Sequence, residues 1–197
     1  QKCPAIRRAD VKYQVSSNPT LIVDIDARIP AAWIDCPELG IHPGDAKYGV
    51  LADKDGVMFP CMETIHMPYI QEKKLPSVSL RPPSSGQLAY GVRTRDLEAP
   101  MQLIELLSGA VSEFLPGIVS ISTPNDWSFC VRFSNDCQAT FSHYGLERQV
   151  DKLEQALEHA RQTHRKINAI NLIPEHNVPV LFDGAYEDIP LAEPIEE

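Results

Sequence analysis

The feature that most constrains this chain is period-two alternation bounded by turn residues, recurring from its first residues onward. Ala9-Asp10-Val11-Lys12-Tyr13-Gln14-Val15 alternates apolar and polar side chains. After Ser16-Ser17-Asn18-Pro19, a second run puts Leu21, Val23, Ile25 and Ala27 on one face, with Asp24 and Asp26 on the other. Such pairs read as hairpins of half-buried strands. The apolar run continues through Ile29-Pro30-Ala31-Ala32-Trp33-Ile34, where Pro30 marks a bend or a free edge.

A second hairpin is predicted at Tyr48–Ala52 and Val57–Phe59 around Asp53-Lys54-Asp55-Gly56, because Gly accepts positive φ without strain. A calcium-loop reading of the same residues fails. Its first position would be Leu51 and its twelfth Met62, where carboxylates are required. Residues 60–98 are rich in proline and hold one short strand candidate, Ser77–Leu80, so they read as a long surface connection. A helix is expected from about Pro100 to Leu115, with Leu103, Leu106, Leu107, Ala110, Val111 and Phe114 on one face and Pro116-Gly117 as its stop. Ile118–Ser122 is a strand. Asp126–Phe133 and Cys137–Ser142 form a third hairpin. Leu146, Val150, Leu153, Leu157 and Ala160 then form one helical stripe from Leu146 to about His164. Ile167–Leu172 and Val178–Phe182 are closing strands, and the rest is an acidic, loose tail. The order predicts an α+β domain, a mostly antiparallel sheet of successive hairpins with two main helices on one face.

Charge and composition narrow the function classes. The chain has 197 residues, 18 basic and 27 acidic side chains, and a net charge of −9. Without a dense basic cluster, a nucleic-acid surface is excluded. The longest apolar runs are a few residues, whereas a spanning helix takes about 20. The chain begins at Gln1, not Met, so it reads as processed or cut from something longer, with no targeting segment visible. Cys3, Cys36, Cys61, Cys130 and Cys137 form no CxxC, and the six histidines lack zinc-site spacing. One disulfide such as Cys36–Cys61 fits the count; small buried thiols are the preferred reading. No nucleophile elbow, HExxH or phosphate loop is present. His143 and His164 read as surface residues, and Asp24 with Asp26 as a solvated face rather than an acid/base pair. No cofactor or metal is expected, and an enzyme has no positive support.

The order of motifs resembles the FtsQ/DivIB family of bacterial cell-division proteins over about residues 4–183. Pro4-Ala5-Ile6, Ala9-Asp10-Val11, Pro19–Val23 and Arg28-Ile29-Pro30-Ala31-Ala32-Trp33 are similar to the family's P-W-V-x-x-A-x-V and L-x-V-x-V-x-E-R-x-P-x-A segments. Val50–Phe59 resembles its V-D-x-x-G-x-V-F hairpin, and Leu75-Pro76-Ser77-Val78 its LPxL. Trp127–Phe133 resembles W-x-L-x-L, and Phe141–Glu147 with Lys152-Leu153 resembles L-x-L-G-x-x-x…K-L. Ile167–Leu172 resembles I-x-x-I-D-L, and Val178-Pro179-Val180 the closing strand.

The resemblance implies that residues 1–28 are the last strands of a truncated POTRA domain, 29–183 a β domain, and 184–197 a tail. The parent would be a bitopic inner-membrane protein with this region in the periplasm and its membrane anchor upstream. Its role would be a non-enzymatic divisome scaffold that regulates septal peptidoglycan synthesis through the coiled-coil proteins FtsB and FtsL. The implied mechanism is addition of a partner strand to an unpaired edge, with Ile173, Pro174, Val178, Val180, Leu181 and Phe182 as the binding residues. The sequence departs from the family at three places. Ile173-Pro174 replaces the family's Arg-Tyr, His176-Asn177 its Ser-Gly turn, and Ala27 the Glu of E-R-x-P. An Arg–carboxylate bond to the partner is therefore not carried over. Pro179 fits an edge strand. If residues 178, 180 and 182 bond inward, its missing N–H faces outward and a partner loses one bond. The alternatives are another POTRA-containing outer-membrane assembly or secretion component, or a cell-envelope enzyme without a recognisable motif.

Overall fold

The computed structural model describes residues 3–15, 19–109 and 116–183. The Ser16–Asn18 turn, Ala110, Val111 and Phe114 of the first expected helix, and the tail 184–197 lie outside the described residues. β1 (Ile6–Gln14) and β2 (Thr20–Ala27) form an antiparallel two-stranded ribbon. The remaining strands are β3 (Pro30–Asp35), β4 (Val50–Asp53), β5 (Met58–Pro60), β6 (Ser77–Ser79), β7 (Ile118–Ser122), β8 (Ser128–Phe133), β9 (Gln138–Ser142), β10 (Ile167–Asn171) and β11 (Val180–Phe182). They make one nine-stranded sheet in the order β11-β10-β9-β8-β7-β6-β3-β4-β5. Five of its pairings are antiparallel and three parallel. With α1 (Glu63–Lys73), α2 (Glu98–Gly109) and α3 (Leu146–Gln162), the fold is α+β with a mostly antiparallel sheet, as the hairpin spacing predicts. No helix among the described residues is long and apolar enough to cross a membrane.

Two apolar clusters sit on opposite faces of the sheet. The larger lies under α2 and α3 and takes Phe129, Val131 and Phe133 from β8, Ala139 and Phe141 from β9, and Leu103, Leu146 and Leu153 from the helices. The smaller lies under α1 and joins Trp33, Leu51, Phe59, Ile70 and Ala5. β3, β4 and β5 feed both clusters: Ala32, Ile34, Val50, Ala52 and Met58 face one, and Trp33, Leu51 and Phe59 the other. This two-sided burial explains their continuous apolar character. β8 instead leaves Arg132 exposed on its outer side, so it alternates.

The connection 60–98 departs from its surface expectation. It contains α1, and β6 is an interior strand running parallel to both β3 and β7 with Val78 wholly buried. Parallel neighbours require crossovers, and the helical segments supply them: α1 lies between β5 and β6, α2 between β6 and β7, and α3 between β9 and β10. Pro100 falls in the first turn of α2, where its missing N–H costs no helical bond.

Candidate functional site

β11 closes one end of the sheet, with β10 as its one neighbour among the described strands. Its hydrogen-bonding phase is fixed at both ends. Asn171 N–H donates to the Pro179 carbonyl at 3.0 Å, and Asp183 N–H donates to the Lys166 carbonyl at 2.8 Å. Backbone polar groups alternate along an antiparallel strand. Residues 179, 181 and 183 therefore face β10, while the N–H and C=O of Val180 and Phe182 face away from the sheet. This phase is opposite to the one under which Pro179 would cost a partner a bond. The absent N–H of Pro179 lies on the inner side, and the outer edge is complete at Val180 and Phe182.

Side chains divide the six expected binding residues differently. Val178, Val180 and Phe182 pack against the larger core cluster, and Leu181 is 40% exposed. The Arg165 guanidinium stands 4.9 Å over the Phe182 ring. Ile173 and Pro174 lie in the β10–β11 connection. Ile173 N–H donates to Asn171 Oδ1 at 3.1 Å, and the Pro174 carbonyl accepts from Lys152 Nζ at 2.7 Å. An Arg148–Glu175 pair at 3.4 Å adds a second tie from α3. Val180 and Phe182 thus spend their side chains on the core. Their main-chain groups, with the Leu181 side chain, are what the edge presents.

The remaining chemistry is dispersed. All five cysteines are free, so the Cys36–Cys61 bond is not formed. Burial pushes the thiols of Cys36, Cys61 and Cys130 up and that of Cys137 up to about 11, which makes them poor nucleophiles. Asp24 is exposed and pairs with Lys12 at 3.4 Å. His143 packs edge-on against Phe129 at 5.4 Å beside a polar cavity of about 500 Å³, and its Nε2 has no partner among the described residues. A second cavity, of about 450 Å³, lies between the ribbon base, the Asp53–Asp55 turn and α2, over the Arg28–Asp53 ion pair. No group of three or more His, Cys, Asp or Glu side chains converges as a metal site among the described residues.

Two residues whose structural partners no sequence motif signals also stand out. His66 is buried in α1, and Arg28 bridges the ribbon to β4. No protein-family model matches the chain, and no curated protein matches it.

Proposed function

We propose that this chain is the extracytoplasmic part of a division scaffold of the FtsQ/DivIB kind, non-enzymatic and anchored upstream in a bacterial inner membrane. It would take a short extended segment of an FtsB/FtsL-type coiled-coil partner as a further strand against β11. The observation that carries this reading is the outer edge of β11, where the N–H and C=O of Val180 and Phe182 face away from β10 and no further described strand pairs with them. Each main-chain hydrogen bond formed there contributes about 0.5–1.5 kcal/mol net. The edge therefore supplies register and modest affinity, and Leu181 with the α3-tied loop at Ile173-Pro174 supplies the remaining contact.

The ribbon supports the same reading. Its pairs Ala9–Ile25, Val11–Val23 and Tyr13–Leu21 stack on one face and are exposed, whereas the other face carries Arg8, Asp10, Lys12, Asp24 and Asp26 beside Ile22. A two-stranded hairpin with one bare apolar face matches the closing strands of a POTRA domain whose remaining elements precede them.

Val180→Pro tests the edge directly. It removes an outward N–H while sparing every inward bond to β10, so the circular dichroism spectrum should stay native. Affinity for the FtsB-type partner should fall about two- to twelvefold, as the loss of one such bond requires. Full retention of binding by a natively folded Val180→Pro chain would remove β11 as the docking edge.

A further inference from the structure

α1 docks on the sheet through a short face. Its buried residues are His66 and Ile70, one helical turn apart, and Pro68 interrupts its interior hydrogen bonding. The N-cap residue, Met62, offers no side-chain cap. Instead, Met62 N–H donates to His66 Nδ1 at 2.9 Å, so the imidazole closes the first turn from inside the helix. A ring that accepts at Nδ1 and is neutral carries its proton on Nε2. That Nε2 is buried without a partner among the described residues, and the ring lies 5.2 Å from Phe59.

Among the described residues, the cluster on this side of the sheet is apolar. The ribbon's base brings Ala5, β3 brings Trp33, β4 brings Leu51 and β5 brings Phe59. Cys61 and Met62 come from the link into α1, and Met67 and Ile70 from α1 itself. Of these, only Cys61 titrates, and burial holds its thiol in the neutral form. Asp45 and Glu63 are the acids that act on Cys61; none acts on His66, whose own pKa is lowered by burial alone.

We propose that α1 is an acid-released flap: His66 latches it to the sheet while neutral, and protonation lifts it to bare the apolar face of Trp33, Leu51 and Phe59. A proton on Nδ1 would face the Met62 N–H donor to donor and leave a buried cation uncompensated. β5 and β6 flank the segment and belong to the sheet, and the bonds from Cys61 N–H to the Gly49 carbonyl at 2.8 Å and from Trp33 N–H to the Pro76 carbonyl at 2.8 Å fix its two ends, so residues 62–75 can open between them without unravelling the sheet.

The sign follows from linkage. The docked state favours the neutral ring, and the released state titrates near the ordinary value of 6.5. The latch is thus fully present above that value and lost as pH falls below it, the opening equilibrium rising about tenfold per pH unit.

Trp33 is the reporter. It is 5% exposed and shares an apolar cluster with Ile70 of α1, whereas the second tryptophan, Trp127, is 60% exposed and is replaced by Phe in the test protein. Acrylamide quenching of Trp33 should rise roughly twofold or more between about pH 7.5 and pH 5, while size-exclusion elution stays that of a folded chain. His66→Asn, whose Oδ1 still accepts from Met62 N–H but does not titrate, should flatten the profile. Ile70→Ala, which weakens docking and keeps the titrating ring, should move the transition to higher pH. Trp33 that stays shielded at pH 5 overturns the proposal. So does an acid transition that persists in His66→Asn, or one that Ile70→Ala leaves unmoved.

Discussion

Asp53 shows how much one side chain can hold. Its Oδ1 accepts from Asp55 N–H at 3.1 Å and from Val57 N–H at 2.9 Å, which shapes the β4–β5 turn. Its Oδ2 takes Arg28 Nη1 at 2.5 Å, and Arg28 Nε donates to the Pro4 carbonyl at 3.0 Å. With 8% side-chain exposure for Asp53 and 15% for Arg28, the pair is screened little by solvent. Removing one partner strands the other, at a cost of about 3–5 kcal/mol for a buried pair. Asp53→Ala should therefore lower urea-unfolding stability by about that amount. Adding Arg28→Met should restore part of it, because the two changes act on one interaction. Strict additivity would mean the two side chains are not coupled. The Asp-Lys-Asp-Gly turn was legible in the sequence because a hairpin signal is local. The partnership with Arg28 was not, since it joins residues on either side of β3, distant in sequence.

At the scale of elements, legibility followed the regularity of burial. α3 carries a clean stripe, and the structure buries Leu146, Val150, Leu153 and Ala160 along it. α1 carries none, because its two buried side chains cannot make a periodic pattern and Pro68 argues against a helix. β6 was legible as a short strand at Ser77–Leu80, but not its interior place, because that is set by the two neighbours that hold it from either side. β11 was legible as a closing strand, but its phase was not, because pairing with β10 sets which residues face inward. Pro179 lies just before it with its nitrogen toward β10. The start of α3 hides another determinant. Its N-cap, Gly145, has φ +66 and no side chain to offer. Gln149, buried one turn in, replaces it: Oε1 accepts from Ser142 N–H at 2.8 Å, and Nε2 donates to the Tyr144 carbonyl at 2.7 Å. Gln149→Leu keeps the bulk and orphans these groups. It should cost about 1–3 kcal/mol in denaturant unfolding; a neutral result would mean water satisfies the β9–α3 corner equally well.

At the scale of the whole molecule, the nine-stranded sheet has its own two cores, whereas the ribbon has none. Val11, Tyr13 and Leu21 are 63%, 64% and 60% exposed, all on one face, while Arg8, Asp10, Lys12, Asp24 and Asp26 occupy the other. Fully burying one such large apolar side chain contributes about 1.5–3 kcal/mol, so in water this face favours any cover it can find. The chain described here should associate with itself as its concentration rises. Val11→Lys combined with Val23→Glu replaces an apolar cross-strand pair by an ionic one, keeping strand pairing while spoiling the face. Sedimentation velocity should then show concentration-dependent association in the parent and a monomer in the double variant. Their unfolding midpoints should agree to within about 0.5 kcal/mol in stability, because neither side chain touches a core. Equal sedimentation of the two would mean the face is inert. If residues 1–28 close a POTRA domain, as proposed, a chain extended upstream through that domain should already be monomeric without the substitutions. Its ribbon face would be covered from within.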